Sequence, residues 1–411
     1  MAKLRLIWVA NAIWCPTGYG IQSKSLLPRL KRLDCVDDIA IFAFWGSEGG
    51  IMKAYGFTHY PRLFDPWGND VIQLHARHFK ADAVFTLMDT WVLAPDYGVR
   101  GFRWLPYFPV DHSPCPPAII ERLRTAYLPI SYSRFGWEEM RKAGVYSEFI
   151  PHGVEEKVFR PLPDKGKWKE KFGLSRDDFV VGMVAANKGY PARKAWQQCI
   201  EGFAAFAQRH KDARLYLHTL TTSEMGGPNL REMLAFYGCI ERARFTNPYY
   251  LMLGFDQPEL AQLYNSFDVL LAASMGEGFG IPILEAQSCG VPVVTTDFSS
   301  MPELTAAGWK AKVLAKWFTP LVAHQVIPDP QSIAECLERA YEADRGKLAK
   351  VGREFALGYS WDKLVAQKWA PLLKQIAEEV TVRSHKPIAM ADLVPASELY
   401  SRTATDEGVK L

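Results

Sequence analysis

The sequence predicts an α/β protein built from two doubly wound domains with parallel sheets. Three observations point there. Apolar, β-rich runs alternate with amphipathic stretches along most of the chain, the pattern of parallel strands covered by helices on both faces. The 411 residues exceed the roughly 150 of an average domain. A polar stretch rich in proline and charge interrupts the alternation at 151–178 and reads as the joint between domains.

The expected strands follow in order. RLIWVAN (5–11), DIAIFAF (38–44), DAVFTLM (82–88), RWLPYFPV (103–110) and AYLPIS (126–131) precede the break. FVVGMVA (179–185), ARLYLHT (213–219), DVLLAAS (268–274) and VPVVTT (291–296) follow it. Between them lie amphipathic helices such as SRFGWEEMRKAG and ARKAWQQCIEGFAAFAQRH. Residues 357–380 read as further long helices, and 381–411 as a polar tail.

Composition narrows the function classes. Hydrophobic residues at 48% and charged residues at 23% exclude global disorder and low-complexity architecture. No run approaches the ~18 uninterrupted apolar residues of a membrane span. The N-terminal MAKLRLIWVANAIW, broken by Asn11, reads as a buried first strand rather than a signal peptide. The net charge of +3 lies wholly in the first 160 residues and is too small to imply nucleic-acid binding. Seven cysteines stand singly with no CxxC pair, so neither a zinc site nor a disulfide framework is expected. Isolated cysteines suit a reducing compartment, and a cytoplasmic location is the expectation.

The segment DVLLAASMGEGFGIPILEAQSCGVPVVTTD (268–297) carries the chemistry. An apolar strand enters a Gly-rich loop. Pro282 then suits the first helical position, and Gly290 suits the end of the helix. A second strand follows. This βαβ unit puts a flexible loop at the C-terminal edge of a parallel sheet, where such sheets bind ligands. The helix start offers free N–H groups to a diphosphate. Glu277 in the loop and Glu285 in the first turn, eight positions apart, are placed to face one crevice. Stabilisation of the helix dipole is a purely structural alternative for Glu285, but Glu277 has no helix to stabilise.

GEGFGIPILEA, followed by CGVPVV and the later Pro302-Glu303-Leu304, resembles the Glu-x7-Glu signature of retaining glycosyltransferases of family four, the glycosyl transferases group 1. Segments 129–161, 180–206, 255–274 and 359–373 extend the resemblance over roughly residues 1–375. It implies the GT-B architecture: two Rossmann-like domains, doubly wound parallel sheets facing a central cleft. The expected boundaries are 1–165 for the acceptor domain and 166–358 for the donor domain, with 359–380 crossing back as helices. It further implies that Glu277 touches sugar hydroxyls, that Glu285 binds the nucleotide's ribose, and that the backbone of Gly278, Phe279, Gly280 and Ile281 lies at the sugar and diphosphate.

Cations for the diphosphate come from the loop ANKGYPARKAW. Lys194 matches the family's lysine at a helix start. Asn187 stands where the family usually has an arginine, and Arg193 or Lys188 is the expected substitute. A solvated basic loop is the alternative reading. Arg and Lys can neutralise a departing diphosphate without metal, and no Asp-x-Asp run marks a Mg²⁺ site. No metal and no cofactor are expected.

In the first domain Gly18 and Gly20 follow the first strand and permit close approach to a ligand, or form a plain turn. The resemblance places them toward the donor. His112, after a buried strand, would by itself read as a structural histidine; the resemblance implies a place at the donor sugar, and it is assigned with Glu277 to catalysis, with Asp111 orienting it or facing solvent. Asp89 and Ser133 are candidate acceptor-side or orienting residues, each with helix capping as the alternative. His152 and His218 are expected to be structural. The favoured function is transfer of a sugar from a nucleotide diphosphate-sugar with retention at the anomeric carbon. The rivals are a nucleotide-sugar epimerase or sugar phosphorylase on the same fold, and a non-catalytic nucleotide-sugar-binding protein. The acceptor stays open among glycan, lipid-linked glycan, small molecule, protein and modified DNA, with no strong membrane or nucleic-acid signal.

Overall fold

The computed structural model describes residues 3–383. The tail expected at 381–411 lies outside them, apart from three residues that end a helix. Two parallel sheets form the frame. The first contains β1 (Leu4–Asn11), β2 (Val36–Trp45), β3 (Met52–Ala54), β4 (Phe57–Pro61), β5 (Ala83–Leu87), β6 (Arg103–Phe108), β7 (Ile130–Ser131) and β8 (Glu148–Phe149), ordered β3-β4-β2-β1-β5-β6-β7-β8. Only the β3–β4 pairing is antiparallel. The second contains β9 (Phe179–Val184), β10 (Ala213–His218), β11 (Ala243–Phe245), β12 (Val269–Ala272), β13 (Val293–Thr296) and β14 (Gly308–Ala311), ordered β11-β10-β9-β12-β13-β14 and parallel throughout.

Both sheets reverse strand order beside their first strand, between β1 and β5 and between β9 and β12. Loops leaving a doubly wound sheet at such a point part to opposite faces and open a crevice. The loops concerned hold Thr17–Gly20 and Asp89 in one sheet, Arg193–Lys194 and Glu277 in the other. Each of these stretches was singled out by sequence, and the topology explains why they meet.

Four of the six strands of the second sheet, β9, β10, β12 and β13, match the apolar runs within a few residues, whereas β11 and β14 were not expected. AYLPIS is a strand only at Ile130–Ser131, because the N–H groups of Tyr127 and Leu128 both turn onto the Trp104 carbonyl. The polar joint is not bare linker. It contains the helix Lys165–Lys171, whose Lys169 ammonium binds Asp268 at 2.9 Å ahead of β12. The chain's last helices return to the first sheet. There the ring of Trp369 packs 6.0 Å from Trp8, 6.0 Å from Phe85 and 5.2 Å from Tyr107, fully buried.

A hairpin lies outside both sheets: β15 (Val313–Thr319) and β16 (Ala323–Pro328). Its β16 bridges to the first sheet's loop, with Ser113 and His324 exchanging backbone bonds of 3.0 and 3.1 Å. The seven cysteines are all free thiols. Among the described residues no helix is long and apolar enough to cross a membrane.

Candidate active site

The donor loop joins β12 to the helix Ile281–Ser288. Gly280 caps that helix at φ +108, a left-handed conformation that favours glycine. Pro282 takes the second helical position rather than the first, and Gly290 follows the helix with φ +77. Two further glycines serve close approach. A Cβ on Gly276 would stand 2.3 Å from the Asp111 carbonyl oxygen, and one on Gly278 2.4 Å from the Pro109 side chain. The donor loop can therefore press directly against the strand end that carries Asp111 and His112.

Glu277 sits at the centre. Its carboxylate accepts from Arg193 Nη1 at 3.0 Å, Lys194 Nζ at 2.5 Å and Ser274 Oγ at 2.6 Å. Its N–H donates to Ser299 Oγ at 2.9 Å, and Ser300 Oγ donates to its carbonyl at 2.8 Å. Burial works against the charge of this carboxyl, but Arg193 and Lys194 outweigh it and pull its pKa down to about 2. Burial pushes the Lys194 ammonium below its usual range, with Glu277 opposing. Arg193 also donates to the Gly276 carbonyl. The basic loop is thus folded onto the Glu277 loop rather than left in solvent.

Across the interface, Asp111 Oδ1 and His112 Nδ1 are 2.6 Å apart, and His112 is 5% exposed. Burial raises the cost of ionising Asp111, but the His112 hydrogen bond and the Arg193 charge hold its pKa below the usual carboxylate range. Asp89 opens the turn after β5 and caps nothing with its side chain. Burial and then the Asp111 charge push its pKa up to about 6, while Arg193 and Lys188 pull the other way. Tyr19 and Tyr132 share this region, and burial pushes both hydroxyls well above their usual range. The structure therefore brings Glu277, Arg193, Lys194, Asp111, His112 and Asp89 together.

Other expected residues have protein partners of their own. Glu285 lies beyond the first helical turn, so the dipole reading loses its basis. It is 5% exposed, accepts from the Tyr264 hydroxyl at 2.8 Å, and burial pushes its pKa up to about 8. Asn187 is 2% exposed and donates to the carbonyls of Thr222 at 3.2 Å and Pro228 at 2.8 Å. Its amide nitrogen holds a neighbouring loop. Ser133 caps the helix Arg134–Lys142. The next N–H groups of that helix are taken by Glu303 at 2.9 Å each, so this helix start serves a domain contact.

The remaining glycines and rings have settled roles. Gly18 begins a helix and faces Ile281, whose Cδ1 would lie 3.4 Å from an added Cβ. At Gly20 a Cβ would strike the carbonyls of Cys15 and Ala12, so its missing side chain serves the protein's own turn. The Phe279 ring packs against His152 at 5.3 Å and Tyr132 at 6.4 Å, leaving only its backbone to a ligand. His152 binds the Tyr107 hydroxyl at 3.1 Å, and burial drops its pKa to about 3. His218 meets Thr246 Oγ1 at 2.8 Å, with its pKa lowered by burial to about 4. Sequence reasoning missed Ser274, Ser299, Ser300, Tyr264 and Gln325. The serines flank apolar strands, a position that signals nothing by itself.

Comparison with known proteins agrees with this architecture. Residues 178–343 match the family described as Glycosyl transferases group 1. D-inositol 3-phosphate glycosyltransferase of Actinosynnema mirum is 27% identical over 222 residues, 52% of this chain and 48% of the relative. The lipopolysaccharide core biosynthesis mannosyltransferase LpsB of Rhizobium meliloti is 28% identical over 225 residues, 51% and 56% respectively. The chain thus spans about half the length of the curated relatives it matches. Sucrose-phosphate synthase of Thermosynechococcus elongatus superposes with a TM-score of 0.69 at 16% identity, over 92% of this chain and 100% of that one. HepE of Anabaena, in complex with UDP-glucose, gives 0.65 at 18%, with the same coverage. The fold is GT-B.

Proposed function

Starting from a GT-B chain whose C-terminal half carries a glycosyl transferases group 1 domain, we propose that it transfers a sugar from a nucleotide diphosphate-sugar to an acceptor, with retention at the anomeric carbon. The observation that carries this is the convergence of Arg193 and Lys194 on the donor loop ahead of the helix Ile281–Ser288, with Glu277 between them. Two cations beside a helix N-terminus suit a diphosphate. The UDP-glucose bound to HepE supports a donor of this class.

In this reading residues 166–358 take the donor and 1–165 the acceptor, with 359–380 tying the two. Lys194 and Arg193 hold the diphosphate, aided by the N–H groups from Gly278 to Ile281. Glu277 accepts from sugar hydroxyls, and Glu285 from the ribose. His112 faces the sugar ring and Asp111 orients it. Asp89 lies on the acceptor side. The bond from the anomeric carbon to the diphosphate breaks and its electron pair leaves on the diphosphate oxygen. The acceptor hydroxyl attacks the same face, and its proton passes to the departing oxygen. The protein contributes positioning and charge stabilisation more than a strong nucleophile. No metal is required for this step, because Arg193 and Lys194 supply the positive charge.

The test is a thermal-shift screen of nucleotide sugars, followed by acceptor panels with the best donor. Product anomers read by NMR decide retention. Nucleotide release without any acceptor-dependent product points to hydrolysis, and isomerised donor points to an epimerase.

A further inference from the structure

We propose that Gln325, on the hairpin strand β16, is a positioning residue for the Asp111–His112 pair, so that the catalytic face of the first sheet is completed by the second domain. The proposal rests on the reading that His112 faces the donor sugar and deepens it.

Three observations carry it. First, β16 is inserted between the two domains at the site. Its His324 exchanges backbone bonds with Ser113, and its Val326 N–H donates to the Met275 carbonyl at 3.0 Å. The strand therefore touches the residue after His112 on one side and the start of the donor loop on the other. Second, Gln325 is 7% exposed and its Nε2 donates to Asp111 Oδ2 at 3.2 Å. Third, Asp111 uses its other oxygen for His112 Nδ1 at 2.6 Å. Arg193 approaches Oδ2 only to 3.7 Å, beyond hydrogen-bond reach.

A carboxylate gripped at one oxygen can swing about its own axis and carry the imidazole with it. Gripped at both, it fixes the ring plane and the tautomer with the proton on Nδ1. That leaves Nε2 as the ring nitrogen available to a sugar hydroxyl. An amide suits the task because it donates without adding charge. The charges around Asp111 come from Arg193, Lys194, Glu277 and Asp89. A second cation at position 325 would compete with His112 for the same carboxylate.

Hairpin exposure agrees with this division of labour. The partner strand β15 is open to solvent from Val313 to Phe318, whereas β16 is mostly buried against the domains. The hairpin holds its place through β16, and Gln325 is the β16 side chain that reaches the Asp111–His112 pair.

The experiment measures nucleotide release from a panel of UDP-, GDP-, ADP- and TDP-hexoses, using the best donor. Gln325→Leu keeps the bulk and removes the hydrogen bond. It is expected to lower kcat about tenfold, the worth of one hydrogen bond to a charged group, with donor KM changed less than about twofold. The same substitution on a His112→Ala background is expected to have no further effect. Gln325→Glu sets a carboxylate against Asp111 and is expected to lose most activity at pH 8. Its activity relative to the unsubstituted protein then rises toward pH 5, as the new carboxyl protonates and can donate. Unchanged kcat in Gln325→Leu, an equal loss on the His112→Ala background, or a pH-independent loss in Gln325→Glu overturns the proposal. If instead His112→Ala itself retains full turnover, or no donor in the panel releases nucleotide, the functional reading falls and takes this one with it.

Discussion

The carboxylate of Glu303 in the second domain accepts from the backbone N–H of Arg134 in the first, at 2.9 Å, and its other oxygen takes the N–H of Phe135 at the same distance. A helix start needs partners for its free N–H groups, and here a residue 169 positions away supplies them. Glu303→Ala leaves both groups without a partner in a half-buried contact. The expected cost is about 1–3 kcal/mol, seen as a lower unfolding midpoint and faster proteolysis in the joint. A midpoint equal to that of the unsubstituted protein would show that this contact does not hold the domains.

Glu277→Gln separates charge from shape. Breaking a fully buried ion pair costs about 3–5 kcal/mol, and less is expected here because the Arg193 side chain is 39% exposed. The pKa of Glu277 is depressed, so its stabilising contribution is present above the ordinary carboxylate range and is lost as pH falls through about 2. The substituted protein should therefore unfold at lower temperature across neutral pH. Added nucleoside diphosphate should stabilise it more than the unsubstituted protein, because the diphosphate replaces the missing charge. Turnover should fall. Equal stabilisation of both proteins by the nucleotide counts against Lys194 and Arg193 as its ligands.

Some of this was readable from the chain and some was not. The donor loop is local: strand, glycines, proline and helix lie within thirty residues, so the pattern alone locates it. The pairing of β5 with β6 that sets Asp89 near His112 follows from sheet order, and their approach to Glu277 follows from the packing of one sheet's loops on the other's, neither of which apolar runs encode. Gln325 and Glu303 act over separations of 214 and 169 residues; Glu303 and Asp111 stood out in the sequence, but nothing local named their partners. The β3–β4 hairpin escaped notice because its turn is Tyr55-Gly56, both with positive φ. Such a turn usually announces itself by Asn-Gly or Asp-Gly. Glu285 was legible as an acid of the donor-loop helix, but its partner Tyr264, 21 positions away, was not.

Glu285 gives a pH prediction with a definite sign. Its pKa is raised by burial to about 8, so the protonated form predominates at neutral pH. An acid with a raised pKa contributes stability that is complete below its unfolded pKa and is lost as pH rises through the folded value. Unfolding midpoints should fall between about pH 5 and pH 8, and Glu285→Gln should flatten that slope. If the ionised form binds the ribose hydroxyls, donor affinity rises over the same interval and binding releases a proton at pH 7. Calorimetry in buffers of different ionisation enthalpy detects that proton. Absence of proton release excludes the ionised carboxylate as the ribose ligand, and unchanged donor affinity in Glu285→Gln removes Glu285 from the ribose.

The metal question has a direct answer. If Arg193, Lys194 and the helix start hold the diphosphate as proposed, nucleotide release should survive excess EDTA with little loss. Complete loss, restored by Mg²⁺ or Mn²⁺, would contradict a metal-independent step.

His112 remains the sharpest case. Its Nδ1 is engaged by Asp111, so in the proposed reading Nε2 is the nitrogen left for the donor. A neutral ring with its proton on Nδ1 accepts from a sugar hydroxyl through Nε2, and a protonated ring donates. The accepting contact gains strength as the sugar takes on positive character, because its hydroxyl becomes a better donor, so turnover should suffer more than donor affinity. His112→Ala should lower kcat about tenfold to a thousandfold, at roughly 1.4 kcal/mol per tenfold, with donor affinity nearly unchanged. The side chain is buried and paired, so a lower unfolding midpoint is also expected, and stability alone does not discriminate. The deciding quantity is turnover per folded molecule. If the folded fraction, counted by donor binding on the same preparation, turns over at the unsubstituted rate, His112 holds Asp111 and the strand end in place and has no part in sugar transfer.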